Sequence, residues 1–139
     1  MTGRRRAREM VLKGLYAYEV YPRDGNEILD DLAADSGLDK DHLQFARRLM
    51  ETVIANLPFI DTEIARLAEN WDLDRIAVID RIILRIAFAE IHFMPDIPFK
   101  VAINEAIDLA KEYSTLESSS FVNGILDAAI SGPSLPDRQ

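Results

Sequence analysis

The chain has no cysteine, which excludes a disulfide framework, a thiolate zinc site and a cysteine nucleophile. That absence suits a cytoplasmic protein. Histidine is nearly as scarce: there are only His42 and His92, and neither stands in an HExxH or other metal-ligand spacing. His92, at the end of an apolar segment, reads as a packed or solvated side chain rather than a ligand. The six glycines are scattered, so no GxGxxG or GxxxxGK phosphate loop is present. Ser118-Ser119-Ser120 lacks a GxSxG elbow and a nearby base, and reads as helix-start chemistry. With no catalytic constellation, cofactor loop or metal set, the expectation is a protein that is not an enzyme.

Long hydrophobic runs are missing as well. The most apolar stretch, 76–94, has 14 apolar residues of 19, but Asp80, Arg81, Arg85, Glu90 and His92 interrupt it. Charges in mid-segment argue against a membrane span and for a buried central helix. The basic start is followed by Glu9, Lys13 and Glu19 rather than by an unbroken apolar run, so no secretory signal is read. What the chain does have is ordinary core material: 48% hydrophobic and 29% charged residues over 139 positions, enough for one domain or two small halves.

Charge is unevenly distributed. The whole chain carries −8, yet residues 1–13 carry +4 from five Arg/Lys against Glu9, leaving −12 on residues 14–139. A basic arm on an acidic body is the asymmetry of a localised polyanion contact. Four arginines near a helix N-terminus also oppose the macrodipole, at a few tenths of a kcal/mol each, which an external anion would relieve. If Arg4, Arg5, Arg6 and Arg8 each neutralise one phosphate, binding should weaken roughly 50-fold between about 50 and 200 mM salt.

Helical periodicity dominates, and no two-residue alternation marks a strand. Helices are expected over 3–20, 26–34 (Asn26 as N-cap, Gly37 as terminator), from Asp39 to an interruption at Pro58, and over 61–70. The second half opens at Trp71, with helices over 76–94, from Pro98 to about 113, and then to about 130. The last carries a capping-box spacing between Ser114 and Glu117. The result is an all-α chain of six or seven helices in two packed helical bundles, 1–70 and 71–131, with a mobile tail at 132–139.

Several ordered blocks resemble the NusB family. They are Ile82-Ile83-Leu84-Arg85-Ile86-Ala87, the run from Asp96-Ile97-Pro98-Phe99-Lys100 through Val101-Ala102-Ile103-Asn104-Glu105-Ala106 to Lys111, and Phe121-Val122-Asn123-Gly124-Ile125-Leu126. The opening Arg4-Arg5-Arg6-Ala7-Arg8-Glu9, followed by Leu15-Tyr16, resembles the family's N-terminus. The correspondence covers essentially the whole chain and is weakest between Arg23 and Asp72.

The resemblance implies a NusB-like fold and a role in transcription antitermination, especially of ribosomal RNA operons. It implies binding of boxA-type single-stranded RNA together with the small ribosomal-subunit protein NusE, in an antitermination complex on RNA polymerase. It carries RNA contacts onto Arg4, Arg5, Arg6 and Arg8, and onto Tyr16 and Phe121 as stacking aromatics. Core packing is an equal alternative for Tyr16, and an aromatic on an apolar stripe such as Phe121 is ordinarily core. It also marks Asp80, Arg81, Arg85 and Glu117. Against these stand a buried ion pair of Arg85 with Glu105 or Glu9 and capping by Glu117. Asn104, Asn123 and Gly124 look structural, the glycine suggesting close backbone approach.

The reading is a cytoplasmic RNA-binding factor, a monomer or weak homodimer, with no cofactor and no membrane contact. Two rivals stand beside it. One is the binding module of an RNA cytosine methyltransferase, which requires a chain cut short at Gln139. The other is a helical scaffold that binds only protein, for which the arginines are irrelevant to RNA.

Overall fold

The computed structural model describes residues 3–69 and 72–132, and among them there are helices and no strand. The chain divides into two compact units, Met1–Ala55 and Asn56–Gln139. The boundary falls at the break between helices that Pro58 announces, ahead of the division at 70 expected from the sequence.

The first unit holds three helices in mutual contact: α1 (Gly3–Val20), α2 (Gly25–Ala33) and α3 (Lys40–Ala55). Met10, Val11, Leu12 and Leu15 bury one face of α1, and Phe45, Ala46, Leu49, Met50 and Val53 bury one face of α3, both at helical spacing. The two helices approach closely where α1 lacks a side chain: a Cβ on Gly14 would stand 3.1 Å from the Met50 sulfur. Gly37, with φ +73°, supplies the left-handed turn between α2 and α3 that a Cβ would strain. Asp39 then caps α3: its Oδ1 accepts the His42 backbone N–H at 2.9 Å and lies 2.8 Å from His42 Nδ1. The backbone hydrogen bond from His42 is the main reason the Asp39 carboxyl is held below its ordinary value.

The second unit comprises α4 (Leu57–Leu67), a 3₁₀ turn (Leu73–Arg75), α5 (Val78–Phe93), α6 (Phe99–Tyr113) and α7 (Leu116–Ile130). Ten of the 16 residues of α5 are buried, because α4, α6 and α7 all pack on it. This is the all-round apolar helix expected from the sequence. Its Arg85 forms a two-pronged clamp on Asp61 of α4, Nε to Oδ1 at 2.8 Å and Nη2 to Oδ2 at 3.0 Å. His92 stacks on Phe88 and meets Phe59 edge-on. No helix of the described residues is long and apolar enough to cross a membrane.

Some local expectations change. Pro58 interrupts α3 as expected but lies within the first turn of α4, where its missing N–H costs nothing, so α4 begins at Leu57 rather than at 61. Asp24, not Asn26, caps α2; its side chain accepts the Asn26 N–H at 3.0 Å. Asn70, Trp71 and the tail from 133 lie outside the described residues.

Candidate nucleic-acid interface

The sequence-predicted residues fall on both units, and each unit presents its own surface. On the first, the arginines of α1 are not equivalent. Arg4 and Arg6 are exposed, Arg5 is half-buried, and Arg8 is 2% exposed. Periodicity explains the difference: Arg8 lies three, four and seven residues before Val11, Leu12 and Leu15, on the face that packs inward. Its guanidinium sits 5.1 Å from the centroid of the Phe45 ring, and Arg4, one turn earlier, sits at 4.4 Å. Phe45 of α3 is thus a platform that fixes the leading turn of α1 by cation–π contact. Sequence reasoning missed this role, although Phe45 stands four residues before Leu49 on the apolar stripe of α3.

Arg6 donates from Nη2 to the Ser36 carbonyl just beyond α2. It also borders a cavity of about 240 Å³ with Glu9, Lys13 and Asp35. The first turn of α1 contains no acidic residue, so its exposed amides and guanidiniums give one positive end. Tyr16, further along the helix, is 45% exposed and therefore not core.

On the second unit a cavity of about 360 Å³ is lined by Arg75, Ile76, Ala77, Asp80, Thr115, Glu117, Ser118 and Phe121. Three predicted residues, Asp80, Glu117 and Phe121, therefore come together; Phe121 is half-buried and Glu117 exposed. Asp80, third residue of α5, is only 6% exposed. Its Oδ2 accepts from Ser118 Oγ at 2.8 Å, whereas its Oδ1 is buried with no hydrogen-bond partner.

The start of α7 is built differently from the expected Ser114–Glu117 capping box. Thr115 is the N-cap, its Oγ1 accepting the Ser118 N–H at 3.0 Å, which leaves Glu117 on the cavity wall. Thr115 and Ser118 were overlooked as site residues, though their three-residue spacing is that of a cap.

Arg81 and Arg85 point to structure within the second unit. Arg81 Nη1 donates to the carbonyls of Leu73 and Ile76 at 3.2 and 3.4 Å, holding the 3₁₀ turn that forms the cavity's edge. Arg85 is clamped on Asp61, a partner not named among those expected for it. Asn104, Asn123 and Gly124 are exposed rather than packed. A Cβ on Gly124 would meet nothing within 4 Å, so close backbone approach does not explain that glycine.

A family model described as the NusB family matches residues 5–131. Transcription antitermination protein NusB of Chloroherpeton thalassium is 47% identical over 130 residues, covering 90% of this chain and 60% of that protein. The protein of the same name from Myxococcus xanthus is 44% identical over 131 residues, covering 91% of this chain and 94% of its own. This chain thus spans three fifths of the first relative and nearly all of the second. Among solved structures, NusB of T. maritima superposes with a TM-score of 0.86 at 42% identity, covering 94% of this chain and 92% of that one. A structure of antitermination factors NusB and NusE in complex with dsRNA matches with a TM-score of 0.85 at 25% identity, covering 94% and 98%.

Proposed function

Because the chain belongs to the NusB family, we propose that it is a non-catalytic transcription antitermination factor that grips boxA-type single-stranded RNA together with the small ribosomal-subunit protein NusE. In this reading it works in the cytoplasm, within an antitermination complex on RNA polymerase that keeps transcription of ribosomal RNA operons processive.

The observation that carries the reading is the leading turn of α1: Arg4 and Arg6 exposed, Arg5 half-buried, and Arg4 anchored on Phe45. A guanidinium held on an aromatic platform loses less freedom when it meets a phosphate. Tyr16 is exposed enough to stack on a base, a contact worth about 1–3 kcal/mol. On the second unit Phe121 offers a further stacking face, and Asp80 and Glu117 offer acceptors for base N–H groups. Arg8, Arg81 and Arg85 serve by holding α1, the 3₁₀ turn and the α4–α5 pair in place.

The charge balance supports a part for NusE. Residues 14–139 carry −12, which opposes RNA at long range and suits a basic ribosomal partner. RNA affinity should therefore be weak for the chain alone and strengthened by NusE. A titration of boxA RNA at two salt concentrations, with and without NusE, tests this. Binding enhanced by NusE and weakened by salt is expected. A chain that binds NusE while contributing nothing to RNA retention would overturn the RNA reading and leave a protein-binding scaffold.

A further inference from the structure

The cavity beside α5 and α7 contains one feature that the proposed RNA grip does not use. Ser118 is a hub of hydroxyl contacts: 2.8 Å to Asp80 Oδ2, 2.9 Å to Ser114 Oγ and 3.0 Å to Thr115 Oγ1. A serine hydroxyl has one proton to give and two lone pairs to receive. Its proton goes to the carboxylate, the only partner that cannot donate, so Ser114 and Thr115 must donate to Ser118. The hydroxyl's capacity is then fully used and its direction fixed. Its backbone N–H is fixed too, by Thr115 Oγ1 at the N-cap.

Asp80 is held at one oxygen in consequence. Oδ2 is held by Ser118, while Oδ1 lies buried with no hydrogen-bond partner. A buried acceptor left unsatisfied is costly, more so on a carboxylate. A donor that reaches Oδ1 from the cavity offsets that cost, and because the oxygen is closed to solvent the Asp80 wall must shift slightly to admit it. The walls limit what the donor belongs to. Glu117 and Arg75 line the same space, so a phosphate would meet two carboxylates against one guanidinium, whereas the amino edge of a base meets two acceptors. Phe121, Ile76 and Ala77 supply apolar and aromatic surface for the flat face of that base.

We propose that Ser118 is a positioning residue: through Asp80 it aims a carboxylate oxygen at the N–H edge of one unpaired RNA base seated against Phe121. The proposal rests on the RNA reading above and assigns this site base discrimination, leaving affinity to the arginines of α1. A hydrogen bond to a charged acceptor that is lost without replacement weakens binding about 10- to 100-fold.

The test is a walk along boxA RNA with single abasic sites, read as binding to the wild-type chain with NusE present. One position should show a penalty of about 10- to 100-fold. A base analogue lacking the exocyclic amino or imino donor at that position should cost nearly as much as the abasic site. In Ser118→Ala the penalty at that position should shrink toward unity while penalties elsewhere and the salt dependence stay put; Ser118→Thr, which keeps the hydroxyl, should restore it. Asp80→Asn combined with Ser118→Ala should be no worse than Asp80→Asn alone.

The proposal is overturned if Ser118→Ala keeps the full penalty. If that variant does not fold, the wild-type analogue series decides: donor-free analogues binding like the natural base at every position refute it. Failure of the wild type to bind any strand would remove the RNA reading itself, a separable result.

Discussion

Replacing the arginines of α1 one at a time separates charge that meets RNA from charge that holds the fold. Arg4 and Arg6 are exposed and Arg5 half-buried, while Arg8 is 2% exposed over Phe45. Three phosphate contacts on a single strand give a log–log salt slope of about −2, or roughly 20-fold weaker binding from 50 to 200 mM. The same four-fold rise in salt would cost roughly 50-fold if all four arginines took part. Arg4→Ala should reduce the slope by about 0.7, leaving a loss of only about sevenfold over that range. Arg8→Ala should leave the slope near −2, as ~0.7 per phosphate is lost only with a contacting charge. It should instead lower stability by about 1–2 kcal/mol through the lost cation–π contact and packed stem. Fluorescence anisotropy over a salt series, paired with thermal melting, measures both quantities. The reasoning fails if Arg8→Ala flattens the slope as much as Arg4→Ala and leaves the melting temperature unchanged.

Two glycines should respond in opposite directions to alanine. Gly37→Ala, at φ +73°, should cost about 1 kcal/mol, and Gly124→Ala, whose Cβ would meet nothing within 4 Å, should add roughly 0.5–1 kcal/mol; denaturant unfolding reads both. Breaking the α4–α5 clamp with Asp61→Ala leaves the guanidinium of Arg85 without its fork, since the two side chains are only 26% and 13% exposed. A loss of about 2 kcal/mol is expected in the same assay. Asp39 carries a pH signature. Its folded carboxyl titrates below 3.8, chiefly through the His42 backbone N–H, so its stabilisation is complete above 3.8 and is lost as pH falls through the lower folded value. The wild type's advantage over Asp39→Ala should vanish on that acid limb, and Asp39→Ser, whose cap does not titrate, should show no such loss.

The helices were legible because their signals are local. The spacing predicts a first helix over 3–20 and α1 is Gly3–Val20, since Pro22 stops it and the apolar spacing fills it. The apolar segment of α5 stood out for the same reason. Less legible were features that depend on what lies across a helix interface. Arg8 reads as one of a basic cluster until Val11, Leu12 and Leu15 are seen to share its inward face. Arg85 is clamped on Asp61, 24 residues away, and no spacing rule links them. Ser118 reads as helix-start chemistry, which its backbone N–H bears out, but its hydroxyl turns to Asp80, 38 residues back. The glycine in Phe121-Val122-Asn123-Gly124 suggests close backbone approach from its place in a helix, yet the surface around it is open. Composition could expose the charge asymmetry but not which cations reach solvent.

The most direct measurement is retention of boxA RNA by the chain with NusE at low ionic strength, comparing the wild type with the triple variant Arg4→Ala, Arg5→Ala, Arg6→Ala. With NusE binding unchanged between the two, the wild type should hold the RNA and the triple variant should lose most of that capacity. Equal retention by both would contradict a grip centred on the leading turn of α1.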